Sequence, residues 1–530
     1  MVRCISKDNV KFSEEKNPAL LSPYQQISPL TGHHSHAGNR ANFSQSQLDN
    51  LDQHEARLEI LEDGTVLAGW FSSEDCENPR NWQYWKKLFV LMVVCVNTFV
   101  VYMAAPIYSP AYSSVEADFK TSELYSTLGL ALYVLGYGFG PLLFSPLSEI
   151  PAIGRNPPYV VSFALFCIFS VPTALVANAP GFMVLRFLQG FFGSPILATG
   201  GASIADIFDE TSLPHAMSFW VVPCYFAPAV GPIISSFAIP ALGWRFSMWE
   251  VLISAGPVML LLLFVPETSS STLLFRRAQR LRQLTGTRIS SASEVAQSHL
   301  SLKNVVVESL LMPLKITVLD PAILFAEIYT SLIYGIYYSF FEAFPLVYED
   351  IYGLSPAEST LPFIACIAGC IVAAGCYHAY LHQIHIPALR KSAELSPEAQ
   401  LIPGLFASIA PPIGLLLFGW AANASVHWIV PTLGIVIYPA GVFVLMQCMF
   451  MYIPASYPQY AASLFAASDA TRCSFACAAV LFATPLYKNL GIGPGCSLLA
   501  GLTILCAFGL YGLYRYGAAL RARSKITVKS

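Results

Sequence analysis

Long stretches without charged residues alternate with short polar segments along most of the chain. Residues 88–110 contain no Asp, Glu, Lys or Arg, and neither do the seventy residues from Ala399 to Ser468. A helix needs about 20 apolar residues to cross the hydrocarbon of a bilayer. The pattern predicts twelve membrane-spanning helices, at residues 88–110, 124–147, 157–178, 181–205, 216–239, 248–266, 316–345, 357–381, 403–421, 427–451, 459–486 and 495–516.

Three polar segments divide these helices into two sets of six. Residues 1–86 are rich in Ser, Asn, Gln, His and charge, which predicts a disordered tail. Residues 267–315 form a polar, basic central loop, and residues 518–530 form a second tail. The prediction is an all-α integral membrane protein, with one six-helix bundle over 87–266 and a second over 316–517.

The composition excludes a soluble enzyme. The chain is 55% hydrophobic and only 12% charged, whereas a soluble domain carries roughly 25% charged residues. A net charge of −3 gives no indication of a nucleic-acid partner. The thirteen cysteines show no paired zinc-ligand spacing. We therefore expect neither a metal nor another cofactor.

Basic residues indicate the orientation, because they concentrate in cytoplasmic segments of membrane proteins. If the N-terminus is cytoplasmic, 24 of the 29 Lys and Arg residues fall in the predicted cytoplasmic segments. An even number of spans then places both termini in the cytoplasm. Asn423-Ala424-Ser425 is a glycosylation sequon in a predicted outer loop, but the loop is so short that we expect it to be unused.

Ionisable residues at membrane depth are costly, which makes them candidates for function. Five stand out: Arg186, Glu327, Glu342, Asp469 and Arg472. Asp469 and Arg472 are three residues apart on one helical face, so they could also be a self-neutralising pair that only packs. Arg186 could instead reach outward to the membrane surface, and Glu342 could simply end its helix. All three alternatives stay open at this level.

Two further helices have unusual compositions. The seventh predicted span carries Tyr334, Tyr337 and Tyr338, whose amphipathic rings suit a cavity for flat organic molecules or ordinary packing. The fifth span contains Pro228, Gly231 and Pro232, which predict a bend and close helix contact. Asn97, polar within the first span, completes the candidate cavity residues.

The segment between the second and third spans carries one acid, Glu149, and one base, Arg155, which follows Gly154. Such a pair could hold helix ends together in one conformation and release them in another. A membrane enzyme would need clustered acids or histidines at one face. The nearest such group, His378, His382 and His385, lacks a complementary acid, so we do not expect a metal site there.

As a set, these elements resemble the major facilitator superfamily, and most closely its fungal twelve-span drug:proton antiporters. The resemblance covers residues 77–517. Six segments carry it: Glu77-Asn78-Pro79-Arg80-Asn81-Trp82, the Gly140–Arg155 run (motif A), Arg186 with Gln189 and Gly190 (motif B), Pro228–Pro232 (motif C), Pro266-Glu267-Thr268 at the start of the central loop, and Phe341-Glu342-Ala343-Phe344-Pro345.

The resemblance implies a mechanism and roles. The two bundles would rock around a central site, and the protein would export small amphipathic compounds, such as antifungal drugs or a toxic secondary metabolite, in exchange for protons. Motif B residues would serve proton coupling, with Arg186 tuning a nearby acid. The implied location is the plasma membrane, with the vacuolar membrane as an alternative, and the implied state is a monomer.

Some positions depart from the family pattern, and other functions stay open. Ala227 stands where motif C often has glycine, and Gln400 stands where an arginine is usual. The segment around Asp469 is not the asparagine-rich version that the family pattern leads us to expect. The competing functions are a proton-coupled uptake symporter of a small nutrient, a membrane enzyme, and a receptor that does not transport.

Overall fold

A computed structural model describes residues 59–60, 65–297, 315–391, 396–457 and 461–522. Within these residues, twelve helices are long and apolar enough to cross a membrane, which confirms the predicted number. Spans 1 to 6 are Tyr84–Met103, Glu123–Glu149, Asn156–Leu175, Ala179–Ile207, Leu213–Leu242 and Arg245–Leu262. Spans 7 to 12 are Pro321–Glu349, Glu358–Lys391, Pro397–Ala421, Ile429–Ser456, Ser463–Leu490 and Ile492–Arg521.

The observed helix boundaries differ most from the predicted ones where polar residues form the end of a helix. Span 7 begins later than expected because the Asp320 carboxylate accepts a hydrogen bond from the Ala322 amide at 2.8 Å and caps the helix. Span 8 continues past the predicted end at 381 to Lys391. Hydropathy marks where a helix leaves the hydrocarbon, whereas the helix itself can continue through polar residues.

Glycines allow neighbouring helix backbones to touch within each half. A Cβ atom on Gly190 of span 4 would lie 2.2 Å from the Tyr133 carbonyl oxygen of span 2. In the second half, a Cβ atom on Gly414 would lie 2.7 Å from the Gly434 carbonyl oxygen, which joins spans 9 and 10 in the same way. Such contacts tie spans together without an intervening layer of side chains.

Part of the segment expected to be a disordered tail is folded. Strand β1 (Glu59–Ile60) pairs antiparallel with β2 (Val66–Ala68), which pairs in parallel with β3 (Ile289–Ser291) of the central segment. Most of the remaining tail lies outside the described residues. This part of the tail is ordered because β3 supplies a partner strand. Since β3 lies more than 200 residues downstream, the composition of the tail itself does not indicate this partner.

A buried arginine fastens this folded segment to the central helix Ser270–Thr285. Arg277 forms ion pairs with Asp75 at 2.7 Å and with Glu77 at 3.0 Å. Partial burial alone would raise the pKa of Asp75, but the hydrogen bond and charge of Arg277 outweigh it and lower the pKa. The pair therefore remains charged at neutral pH.

The two halves contact each other at three levels. We call the face that carries the helix Ser270–Thr285 the inner face and the opposite one the outer face. At the outer face, Lys488 of span 11 lies 3.0 Å from Glu123 of span 2. At the inner face, His378 of span 8 lies 2.8 Å from His215 of span 5. Between these contacts lies a buried aromatic centre.

Candidate transport site between the two halves

A cluster of tyrosine hydroxyls occupies the centre of the molecule, where the halves meet. The Tyr137 hydroxyl of span 2 lies 2.7 Å from the Tyr334 hydroxyl and 2.8 Å from the Tyr338 hydroxyl, both in span 7. All three side chains are buried. On the neighbouring side, the Tyr337 hydroxyl donates a hydrogen bond to the Tyr225 carbonyl of span 5 at 2.7 Å. The span 7 tyrosines therefore form the contact between the halves.

Beside this cluster lies a buried ion pair that also crosses between the halves. The Arg472 guanidinium donates a hydrogen bond to the Asp469 carboxylate one helical turn away. It also donates to the Tyr102 hydroxyl of span 1 at 3.3 Å. The cation lies 5.0 Å from the centre of the Tyr334 ring and 5.1 Å from that of Phe450. The pairing expected from the three-residue spacing is therefore present, and it faces the centre rather than lipid.

A second acid lies close to this pair. Glu327 of span 7 is buried and accepts a hydrogen bond from the Thr471 hydroxyl at 3.2 Å. Among the described residues, its other carboxylate oxygen has no hydrogen-bond partner, and neither does one oxygen of Asp469. Of these two buried acids, only Asp469 is paired with the guanidinium.

Arg186 lies in the first half and is fully buried, so the alternative of an arginine reaching to the membrane surface is wrong. Its guanidinium donates hydrogen bonds to the carbonyls of Ala104 at 3.0 Å and Ala105 at 2.6 Å, at the end of span 1. It also donates to Gln189 at 3.1 Å. These hydrogen bonds reach carbonyl and amide oxygens, and none of them reaches a carboxylate.

The remaining motif B residues support this arrangement. Gln189 accepts from Arg186 with its amide oxygen and donates to the Ser170 hydroxyl of span 3 at 2.8 Å with its amide nitrogen. Gly190 provides the close contact with span 2 described above. Arg186, Gln189 and Gly190 therefore join spans 1, 2, 3 and 4 into one packed unit.

An aromatic chain connects Arg186 to Glu342. The guanidinium lies 5.1 Å from the Tyr108 ring, and that ring contacts Tyr112 edge to face at 5.4 Å. The Tyr112 hydroxyl donates to Glu342 at 3.2 Å, while Thr484 donates to its other oxygen at 3.3 Å. Glu342 is buried rather than at an exposed helix end. Its carboxylate therefore bridges the two halves.

The proline-rich span 5 is one helix from Leu213 to Leu242, with Pro228, Gly231 and Pro232 buried inside it. A Cβ atom on Gly231 would lie 2.6 Å from the Met103 carbonyl oxygen of span 1. The predicted close helix contact is therefore present, and its partner is span 1, whose end Arg186 also holds.

The loop between spans 2 and 3 is held differently from the expectation. Arg155 pairs with Asp206, at the end of span 4, at 2.6 Å, and not with Glu149. The Glu267 carboxylate accepts hydrogen bonds from the backbone amides of Arg155 and Asn156. Gly154 has φ +82°, a conformation that glycine adopts without strain. The sequence placed Glu149 close to Arg155 along the chain, but the fold brings Asp206 closer.

The segment around Gln400 in the second half also contains an ion pair. Glu398 pairs with Arg521, at the end of span 12, at 2.5 Å. The acid near Gln400 is therefore paired with an arginine from a distant part of the chain.

The remaining candidate residues lie apart from the tyrosine cluster. His378 contacts His215 rather than His382 or His385, and the described residues contain no group of three potential metal ligands. Asn97 is buried in span 1, and its side-chain oxygen has no hydrogen-bond partner within the described part of the chain. Asn423 is exposed in the short turn between spans 9 and 10 and accepts a hydrogen bond from the Ser425 amide.

Comparisons with known proteins agree with this architecture. The chain is 46% identical to the MFS-type transporter pyvG of Aspergillus violaceofuscus, covering 88% of this chain and 86% of that protein. It is 37% identical to fluconazole resistance protein 1 of Saccharomyces cerevisiae, covering 90% and 88%. Its fold matches the solved structure of the proton:xylose symporter XylE with a TM-score of 0.58 at 15% identity, covering 82% and 97%.

The family is established by a match over most of the chain. The sequence model of the Major Facilitator Superfamily matches residues 94–481, from within span 1 to within span 11. The match therefore includes the motif B residues, the tyrosine cluster and the Asp469–Arg472 pair. Together with the fungal relatives and the two six-helix halves, it shows that this chain is a transporter, not an enzyme, and belongs to the Major Facilitator Superfamily.

Proposed function

We propose that the protein exports small amphipathic organic compounds, such as antifungal drugs or a toxic secondary metabolite, in exchange for protons that bind Glu342. Likeness to a relative named for fluconazole resistance supports export rather than uptake. The observation that carries the coupling proposal is the position of the Glu342 carboxylate, which is buried and hydrogen-bonded to both halves.

The tyrosine cluster supports the proposed substrate class. Tyr137, Tyr334 and Tyr338 offer large apolar ring faces together with hydroxyls that now bond one another. A flat molecule with a few oxygen or nitrogen atoms could replace these hydroxyl contacts while stacking on the rings. A strongly charged substrate would find no comparable compensation among these three residues, because phenol side chains are neutral at physiological pH.

Glu342 suits the coupling role because its charge strengthens one contact between the halves and one contact within the second half. When ionised, it accepts hydrogen bonds from Tyr112 of the first half and Thr484 of the second. A proton removes the charge that strengthens these bonds, so the two states favour different arrangements of the halves. Lys488, one helical turn beyond Thr484, forms the outer-face ion pair, so a proton from the outer side would reach Glu342 early.

Asp469 is a weaker candidate for the same role. Its carboxylate is already paired with Arg472. Glu327 lies next to this pair and accepts one hydrogen bond from Thr471. In this proposal, the Asp469–Arg472 pair binds the polar part of the substrate and holds the closed centre together.

The proposal also includes an orientation in the membrane, a cellular location and an energy source. We place the inner face and both termini in the cytoplasm, because the basic residues concentrate there. The protein then acts as a monomer in the plasma membrane, with an acidic outer side, and the vacuolar membrane would give the same geometry. The proton gradient supplies the energy, at about 2.3 kcal/mol for one proton moving through 100 mV, so no cofactor is invoked.

The first experiment measures accumulation of azoles, benomyl-like compounds and fungal toxins in pump-deficient yeast that expresses the full chain. We expect lower accumulation than in cells with an empty vector, and the difference should disappear with a protonophore. Proton-linked accumulation of a compound would instead identify an uptake symporter and overturn the export proposal, while the fold would stand.

A second experiment tests Glu342 directly. In proteoliposomes, Glu342→Gln should retain substrate binding but lose export driven by a pH gradient, because glutamine cannot carry the proton. Glu349→Gln, at the end of the same span, is the matched control and should behave as wild type. If Glu342→Gln keeps gradient-driven export while Asp469→Asn loses it, the coupling acid is Asp469.

A further inference from the structure

We propose that His215 and His378 form the inner gate of the transporter and that a second proton taken up by this pair opens it. The pair joins span 5 of the first half to span 8 of the second at the inner face. The proposal adds two residues to the transport cycle and does not depend on which acid carries the coupling proton.

The geometry allows this contact only while the pair holds a limited number of protons. The two Nδ1 atoms lie 2.8 Å apart, and the rings are nearly parallel, at 7° with centres 5.0 Å apart. One Nδ1 must donate and the other must accept, so the facing nitrogens share one proton. A first added proton keeps the bond, because an imidazolium donates to a neutral ring. With a second added proton both rings are cations, so two N–H groups and two positive charges face each other and break the contact.

Histidine is the side chain whose charge ordinarily changes between pH 5 and 8. Both rings are only partly buried, so protons from the inner side can reach them. Phe219 packs on the His378 ring with centres 4.7 Å apart and shields one side of the pair. The pair is therefore placed to respond to the pH of the inner compartment.

The helices near the His215–His378 pair carry several other charged or titratable residues. On span 8, His382 and His385 interact electrostatically with His215, and Arg390 and Lys391 end that helix. Asp209 and Glu210 precede span 5. Lys86 and Lys87 begin span 1, Asp206 ends span 4, and span 10 carries no ionisable acid or base other than tyrosine and cysteine.

Three of the other inter-half contacts involve no histidine, and the Glu342 contact lies toward the outer end of span 7. At the outer face, Glu123 and Lys488 form an exposed ion pair. Also at that face, Ser236 and Thr360 share an uncharged hydrogen bond at 3.0 Å. At the centre, the Tyr337 hydroxyl donates a hydrogen bond to the Tyr225 carbonyl. Acidification of the inner side should therefore release the inner face selectively and favour an inward-open state.

The test uses the full chain in nanodiscs and hydrogen–deuterium exchange at pD 7.5 and 5.5, with exchange times scaled for the intrinsic pH dependence. In wild type, peptides covering 209–219 and 376–391 should exchange about fivefold faster at the lower pD, the shift expected from losing one ordinary hydrogen bond. Peptides around Glu123 and Lys488 should not change. Equal protection of the inner peptides at both values would overturn the proposal without any variant.

Two variants separate titration from a structural role. The double substitution His215→Gln/His378→Gln keeps a neutral hydrogen-bonding pair, so its inner peptides should stay protected at pD 5.5. The double substitution His215→Arg/His378→Arg places two permanent charges against each other and should expose them already at pD 7.5. His427→Gln, in the turn between spans 9 and 10, is the matched control and should keep the wild-type response. A pD response that persists in the glutamine pair would assign the effect to another group.

Discussion

Two buried arginines, one in each half, are stabilised in different ways. Arg186 donates to Ala104, Ala105 and Gln189, and all of these partners belong to the first half. Arg472 pairs with Asp469 of its own half but also reaches Tyr102 of the other. Contacts within one half can persist through the transport cycle, whereas a contact across the halves must break when they rock. The first arginine therefore stiffens a moving body, and the second holds two bodies together.

The largest effect should come from leaving Asp469 without its partner. Arg472→Met strands a buried carboxylate, which typically costs about 3–5 kcal/mol of stability. The expected result is a clearly lower thermal unfolding midpoint in detergent and no export. The double variant Asp469→Leu/Arg472→Met should recover most of the stability without recovering transport. Unfolding of the double variant at the temperature of the single one would show that the pair stabilises beyond charge compensation.

Removal of the other arginine should separate activity from folding. Arg186→Ala leaves the carbonyls of Ala104 and Ala105 without these donors, at about 1–3 kcal/mol for each buried group. We expect export to be abolished while surface expression stays normal, as measured by efflux and by surface biotinylation. Arg186→Lys keeps the charge but not the fork of donors, so it should restore only part of the rate. Full export by the alanine variant would remove Arg186 from the mechanism.

The smallest effect should come from one hydroxyl. Tyr102→Phe removes the contact of Arg472 with the first half but keeps the ring that packs on Tyr137 at 5.4 Å. The loss of one hydrogen bond, about 0.5–1.5 kcal/mol, should change the export rate a few-fold by favouring separated halves. Tyr133→Phe is the control, because its hydroxyl bonds Val101 within the first half. Equal effects of the two variants would contradict the distinction between contacts within and across halves.

Hydropathy was sufficient to predict the twelve spans, because the bilayer imposes a length on each apolar stretch. It also marked the buried ionisable residues Arg186, Glu342, Asp469 and Arg472, since charge is rare inside spans. An ion pair between residues close in sequence, such as Asp469 and Arg472, could be predicted from their spacing.

Partners that meet across the fold could not be predicted in this way. Arg155 has Glu149 nearby in sequence but pairs with Asp206, and His378 has His382 nearby but contacts His215. The tyrosines of the first half, Tyr102 and Tyr137, gave no signal because tyrosine is common in spans. Their role depends on the opposing half, and one sequence does not reveal which helices face each other.

The outer-face ion pair has a consequence for how fast the molecule can work. The side chains of Glu123 and Lys488 are 54% and 50% exposed. Ion pairs with this degree of solvent exposure typically contribute about 0–1 kcal/mol of stability. That is comparable to the thermal energy, so ordinary fluctuations break the pair frequently. Discharge of cargo to the outside would then be limited by the centre and the inner face, and a rise in external salt, which screens exposed charges, would leave turnover almost unchanged.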